Sequence, residues 1–218
     1  MLQAFTTGVF DLLAPPRCAG CDTFVETRLP GFCEACHPLI EPWARDQSAA
    51  CEYGGPLRDA IQRFKFDGAP ELAPALAALL AAPAKALLGQ VDMVVPVPLH
   101  ARRLRLRGFN QSALLALPVA RWLGVPLSLH ALRRLRDTPS QLELTRRERR
   151  AQLRGAFAAS KKVRGRAVLV IDDVRTTGAT LDEVQHTLER AEASAVFTLT
   201  LAGVPPHEDG EAERTSPL

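Results

Sequence analysis

The residues of this chain most able to do chemistry fall in two short stretches. In the first, RAVLVIDDVRTTGAT from Arg166 to Thr180, an aliphatic run gives way to adjacent carboxylates, Asp172 and Asp173, and threonines follow at 176, 177 and 180. Two neighbouring carboxylates can accept hydrogen bonds from a pair of adjacent hydroxyls, such as a ribose cis-diol, or hold Mg²⁺. The threonines add three hydroxyls and the free N–H groups of a starting helix, which together favour a phosphate. Gly178 lets the backbone approach such a ligand closely. A helix cap would account for one threonine and one acid, but not for a buried strand, two acids and three threonines in succession.

The second stretch holds Cys18-x-x-Cys21, eleven residues, then Cys33-x-x-Cys36. Each pair forms a knuckle with both sulfurs on one side, and two knuckles make a closed tetrahedral Zn²⁺ site with no open catalytic position. Metal binding of this kind is worth roughly 10–16 kcal/mol, enough to fold a small module. His37, next to Cys36, reads as polar surface, and Cys51 reads as a buried thiol.

The elements that must position these groups follow from periodicity. Leu57, Ile61 and Phe64 repeat at helical spacing over 56–66. The alanine- and leucine-rich segment 72–88 is helical, with Pro74 suited to a first turn and Pro83 ending or kinking the helix. A buried strand is expected over 91–98, a helix over 110–124, a second strand within 125–135 and a short one at 155–160. A strand is expected over 166–172, its aliphatic run from Ala167 to Ile171, followed by an amphipathic helix over 179–191 and a last strand over 194–204. Strands alternating with helices predict a parallel α/β sheet, with ligands at its carboxyl edge. The domain boundaries expected are a zinc-binding module at 1–50, an α/β domain at 51–204 and a disordered acidic tail at 205–218.

Composition narrows the setting. The chain has 218 residues, 47% of them hydrophobic, enough for one substantial core and an accessory module. No apolar run reaches the roughly 20 residues of a membrane span, and the first residues lack a signal-peptide pattern, so a cytoplasmic location is expected. A formal charge of +3 conceals an asymmetry: residues 101–166 hold 17 Arg or Lys against three acids, while the rest holds 10 against 21. The basic segment is suited to anions.

VLVIDDVRTTGAT resembles the phosphoribosyl-pyrophosphate (PRPP) signature of type I phosphoribosyltransferases. The segments FKFDG, VPVPLHARRLRLRGFNQS and RLRDTPSQLELTRRERRAQLRGAF, with the cysteine pairs, are similar to those of the competence protein F (ComF) family, from Cys18 to about Val204. The resemblance implies a type I phosphoribosyltransferase fold, a parallel sheet flanked by helices, behind a small N-terminal Cys₄ zinc-ribbon-like module. It implies that Asp172 and Asp173 hold the ribose hydroxyls and that Thr176, Thr177, Gly178, Ala179 and Thr180 wrap the 5-phosphate. The Mg²⁺-pyrophosphate is then expected on His100, Arg103, Arg107 and Gly108. A mobile loop over the site carries Arg134, Arg136, Thr138, Gln141 and Arg149. Gln152 stands where the family usually has asparagine, and Lys65 matches a family position on an amphipathic helix.

Two functions follow from the resemblance. In one, a PRPP-binding domain assists handling or import of single-stranded DNA in natural transformation, beside competence proteins such as a DNA translocase. In the other, the domain transfers ribose 5-phosphate from PRPP to a base or amine. No side chain stands out as acceptor-binding group or general base, so turnover and acceptor are not legible. The basic segment suits a DNA backbone and a pyrophosphate equally. Its aromatics for stacking are Phe109, Trp122 and Phe157, so a DNA contact there would be mainly electrostatic.

Overall fold

The computed structural model describes residues 16–25, 31–137 and 151–205. Four strands form a parallel sheet in the order β1 (Ala49–Glu52), β6 (Ala195–Gly203), β5 (Ala167–Arg175), β2 (Met93–Pro96). In β5, Leu169 and Ile171 belong to one apolar cluster while Val168 and Val170 belong to the other, and all four are fully buried. That is why β5 reads as an unbroken aliphatic run: alternate side chains meet protein on both faces of the sheet.

On one face pack α1 (Gly55–Phe66), α2 (Ala73–Leu79), α3 (Ala81–Lys85) and α5 (Gln111–Leu123), through Leu57, Ile61, Phe64, Leu76, Leu80 and Leu115. Burying each of these contributes roughly 1.5–3 kcal/mol. The other face is covered by α6 (Ala179–Arg190) through Val184 and Leu188. A two-stranded antiparallel ladder of β3 (Leu132–Arg134) and β4 (Phe157–Ala159) joins it there. A further helix, α4 (Ala101–Arg107), lies between β2 and α5 in sequence and buries none of its residues.

Three expectations are refined. The alanine-rich segment breaks between α2 and α3 at Leu80, because Pro83 has no N–H to offer the carbonyl four residues back. The strand expected within 125–135 divides: Leu127 bridges to Val94 beside β2, and after a turn at Leu129–His130 the chain enters the separate β3–β4 ladder. And β5 does not stop at Asp172 but runs to Arg175. Its pairing with β2 ends at Pro96↔Ile171, but its pairing with β6 continues through Asp172↔Thr200 to Arg175↔Gly203. The acids are held inside a strand with a ladder on one side only.

This arrangement places a topological switch between β5 and β2. The chain leaves β5 through α6 toward β6, and leaves β2 through α4 and α5 toward Leu127, on the opposite side. The two connections part at their carboxyl ends and open a crevice there, which is where open α/β sheets bind ligands.

Candidate functional site

The crevice is a cleft of about 520 Å³, and residues from both connections line it. Asp172 and Asp173 form its floor, 9% and 4% exposed. Asp172 Oδ1 accepts from Ser112 Oγ at 2.9 Å, a buried side chain near the start of α5, and from the Asp173 N–H. Burial, and then the Asp173 charge, push the Asp172 carboxyl up to about 7, although Lys65 and Ser112 act in the opposite sense. Lys65 Nζ, from the last turn of α1, stands 2.9 Å from Asp173 Oδ2. The contact is Coulombic rather than an aligned hydrogen bond, so Oδ2 remains a buried oxygen without a hydrogen-bond donor among the described residues.

The threonine loop follows directly. Gly178 is the left-handed N-cap of α6 at φ +79°, and no side chain caps the helix there. The Ala179 N–H reaches Thr177 Oγ1 only at 3.4 Å. Thr176 is exposed, Thr177 and Gly178 are half-buried, Ala179 is buried, and Thr180 lines the cleft. A β-carbon at Gly178 would be strained whatever space surrounded it.

Across the cleft, α4 contributes Arg103 and Arg107. His100 caps α4, its side chain accepting from the Arg102 N–H at 3.4 Å, and Gly108 closes the helix at φ +83°. Arg107 donates to Gln111 Oε1 at 2.6 Å and lies 5.5 Å from the Phe66 ring centroid. Asn110 caps α5 by accepting from the Ser112 N–H, and donates to the Val97 carbonyl at 3.1 Å. It therefore fixes the entry of α5 and holds Ser112 against Asp172.

Arg134, on β3, reaches the same cleft and lies 5.5 Å from the Phe157 ring. Burial lowers the pKa of Arg107 and of Arg134, yet a guanidinium stays charged throughout the neutral range. Arg136 points elsewhere, donating to the Arg154 carbonyl. Thr138, Gln141 and Arg149 lie outside the described residues. The structure thus gathers Asp172, Asp173, Thr180, Arg103, Arg107 and Arg134 around one cavity. Ser112 was not singled out from the sequence, and Lys65 only as a match on a helix face.

The four cysteine sulfurs of the N-terminal module lie within 4.8 Å of one another. Cys21 Sγ and Cys33 Sγ are 3.7 Å apart, close to the roughly 3.8 Å that tetrahedral Zn–S bonds of 2.3 Å impose. Hydrogen bonds from Thr23 lower the Cys21 thiol to about 6, whereas burial raises Cys36 to about 12. Thiols so close, with one already acidic, fit a cation that takes all four as thiolates. The module rests on α1: Arg63 donates to Asp22 Oδ1 at 2.8 Å and to the Cys18 carbonyl at 3.1 Å. A second tie runs from Arg175, at the end of β5, to Asp46 Oδ2 at 3.1 Å.

Together, a parallel sheet, an acid pair and threonine loop at its switch point, and a cationic segment opposite define a phosphoribosyltransferase-type domain. A family described as the phosphoribosyl transferase domain matches residues 110–215. The DNA utilization protein YhgH of Escherichia coli (strain K12) is 39% identical over 169 residues, covering 75% of this chain and 74% of that one. Competence protein F of Haemophilus influenzae is 36% identical over 146 residues, 63% of this chain and 64% of its own. Competence protein ComFC of Streptococcus pneumoniae is 28% identical over 198 residues, 88% and 83%. The chain belongs to the ComF family.

Proposed function

We propose that the cleft binds PRPP or a closely related phosphosugar, and that the protein uses this site in handling or importing single-stranded DNA during natural transformation. The observation that carries the first part is the buried acid pair at the switch point, flanked by a threonine loop and three arginines. Each carboxylate oxygen can accept more than one hydrogen bond, and a sugar hydroxyl or a divalent cation would take up the capacity left beside Lys65 and Ser112. The DNA-handling part rests on relatives named for DNA utilization and competence and on the basic segment 101–166.

In this reading Asp172 and Asp173 accept from the ribose 2′- and 3′-hydroxyls. Ser112 and Lys65 keep the pair oriented and offset its charge. Thr176, Thr177 and Thr180, with the backbone around Gly178 and Ala179, take the 5-phosphate. Arg103 and Arg107, beside His100 and Gly108, take the diphosphate, and Arg134 adds charge from the far wall. Arg136, Thr138, Gln141 and Arg149 belong to the segment assigned to closure over the ligand. The acid pair and the diphosphate would hold Mg²⁺, which would offset part of the diphosphate charge and make it a better leaving group. Cys18, Cys21, Cys33 and Cys36 hold a structural Zn²⁺. The module at 1–50, the domain at 51–204 and a tail from 205 are the divisions we propose, although β1, Ala49–Glu52, crosses the first boundary to join the sheet. No helix among the described residues is long and apolar enough to cross a membrane, and we place the protein in the cytoplasm.

Thermal unfolding with and without Mg²⁺-PRPP tests the site. Ligand at 100 times its dissociation constant contributes about 2.7 kcal/mol, which raises the midpoint by roughly 5–10 °C for a chain of this size. No shift at millimolar ligand refutes the site. Fluorescence anisotropy with labelled single-stranded DNA tests the role. Binding at low salt that weakens steeply as salt rises supports it, and no binding at low salt refutes it.

A second reading, turnover, is favoured by the same constellation. An acceptor base or amine would form a bond to C1 of the ribose as the C1–O bond to diphosphate breaks, the electron pair leaving with the diphosphate. Release of pyrophosphate with a panel of bases supports this reading; none with any base counts against it.

A further inference from the structure

Asp137 stands just beyond β3 and directs its carboxylate at the basic segment assigned above to the diphosphate. Oδ1 is 3.5 Å from Arg103 Nε, and Oδ2 is 3.8 Å from an Arg102 terminal nitrogen and 3.7 Å from His100 Nδ1. The ring nitrogen already accepts from the Arg102 N–H, so it cannot also donate to Asp137 in that tautomer. The attraction comes from the two arginines.

These contacts differ from a structural ion pair. Arginine braces a carboxylate through short, often bidentate bonds of about 2.7–2.9 Å. Here both arginine contacts are long, and Asp137 Oδ1 is buried without a hydrogen bond among the described residues. The carboxylate is held by charge, not by aligned donors. Around it, Arg102, Arg103, Arg105 and Arg107 crowd a seven-residue helix that contains no acid. Their mutual repulsion is relieved by an anion, and Asp137 is one that the chain supplies. An incoming diphosphate offers more charge and more acceptor oxygens to the same arginines.

We infer that Asp137 occupies the diphosphate seat of the ligand-free protein, and that an anion binds there by displacing it. Asp137 is then a built-in competitor that lowers the affinity of the seat. Stray anions of low charge are kept out, and a ligand anchored also at its sugar and 5-phosphate is admitted. The inference rests on the reading of the cleft as a PRPP site.

The test is calorimetric titration of Mg²⁺-pyrophosphate into the full chain and into Asp137→Asn, with Mg²⁺-PRPP titrated into both. Asp137→Asn is expected to bind pyrophosphate roughly tenfold more tightly, and Arg103→Ala in the same background to lose that gain. Unchanged or weaker pyrophosphate binding by Asp137→Asn, in a protein that still binds PRPP, overturns the inference and leaves the site standing. If Asp137→Asn also melts lower, Asp137 is a brace. If neither PRPP nor pyrophosphate binds the wild type or Asp137→Asn, the reading of the site falls and the inference with it.

Discussion

Asp172 is a carboxyl kept near neutrality by its own position. Folding raises it from an ordinary 3.8 to about 7, chiefly through burial. Between those two values the folded chain holds a proton that the unfolded chain has lost. The sign is therefore negative: this group's contribution to stability falls as pH rises from about 4 to about 7, by up to about 1.4 kcal/mol per pH unit. Asp172→Asn keeps an oxygen for Ser112 and cannot ionise. In ligand-free urea titrations it should gain stability over wild type, and the gain should be larger at pH 8 than at pH 5. An equal gain at both values would mean the carboxyl is already ionised at pH 5. Lys65→Met removes the cation beside a buried Asp173, and a loss of about 3 kcal/mol at pH 8 is expected. A loss below about 0.5 kcal/mol, the size of an exposed pair, would show that solvent screens the contact. The acids themselves were legible, because adjacent carboxylates after an aliphatic run have little structural reason to exist. Ser112 was not: a serine in an apolar helix is an ordinary residue until the fold sets it against Asp172, 60 positions away.

At the scale of elements, β5 and α6 were legible from composition, since an aliphatic run buried on both faces and an amphipathic helix each follow from local periodicity. The extension of β5 beyond Asp172 to Arg175 was not. Aspartate is a poor strand former, and only pairing with β6, whose sequence lies more than twenty residues away, holds it extended. The far end of that pairing makes a prediction. A β-carbon on Gly203 would sit 2.7–2.9 Å from ring atoms of Trp43, and residues 41–43 cover the edge of β1 through bonds between Trp43 and Ala50 and between Glu52 and Glu41. Gly203→Ala should displace the indole and destabilise by about 1–3 kcal/mol, with a change in tryptophan emission. Unaltered emission and stability would show that the ring moves aside without penalty.

At the scale of the molecule, the four cysteines were legible as a cluster that could hold a metal, because their spacing alone brings the two pairs together. How the module attaches was not, because Arg63 reaches Asp22 and the Cys18 carbonyl over a separation of 41–45 residues. Through Arg63 on α1 and the Asp46–Arg175 pair beside the threonine loop, the module touches the helix that carries Lys65 and the strand that carries the acid pair. Stripping zinc with a chelator should therefore lower the melting temperature of the whole chain and weaken PRPP binding, in step with zinc loss measured by a chromogenic assay. Loss of zinc with neither change would show that the module folds and acts apart from the sheet.

The acid-pair site is tested by calorimetric titration of Mg²⁺-PRPP into the zinc-loaded protein beside the Asp172→Asn/Asp173→Asn double variant. Saturable binding is expected of the wild type and should be lost in the folded double variant. Equal affinity in both would contradict this assignment, because the acid pair would then have no part in holding the ligand.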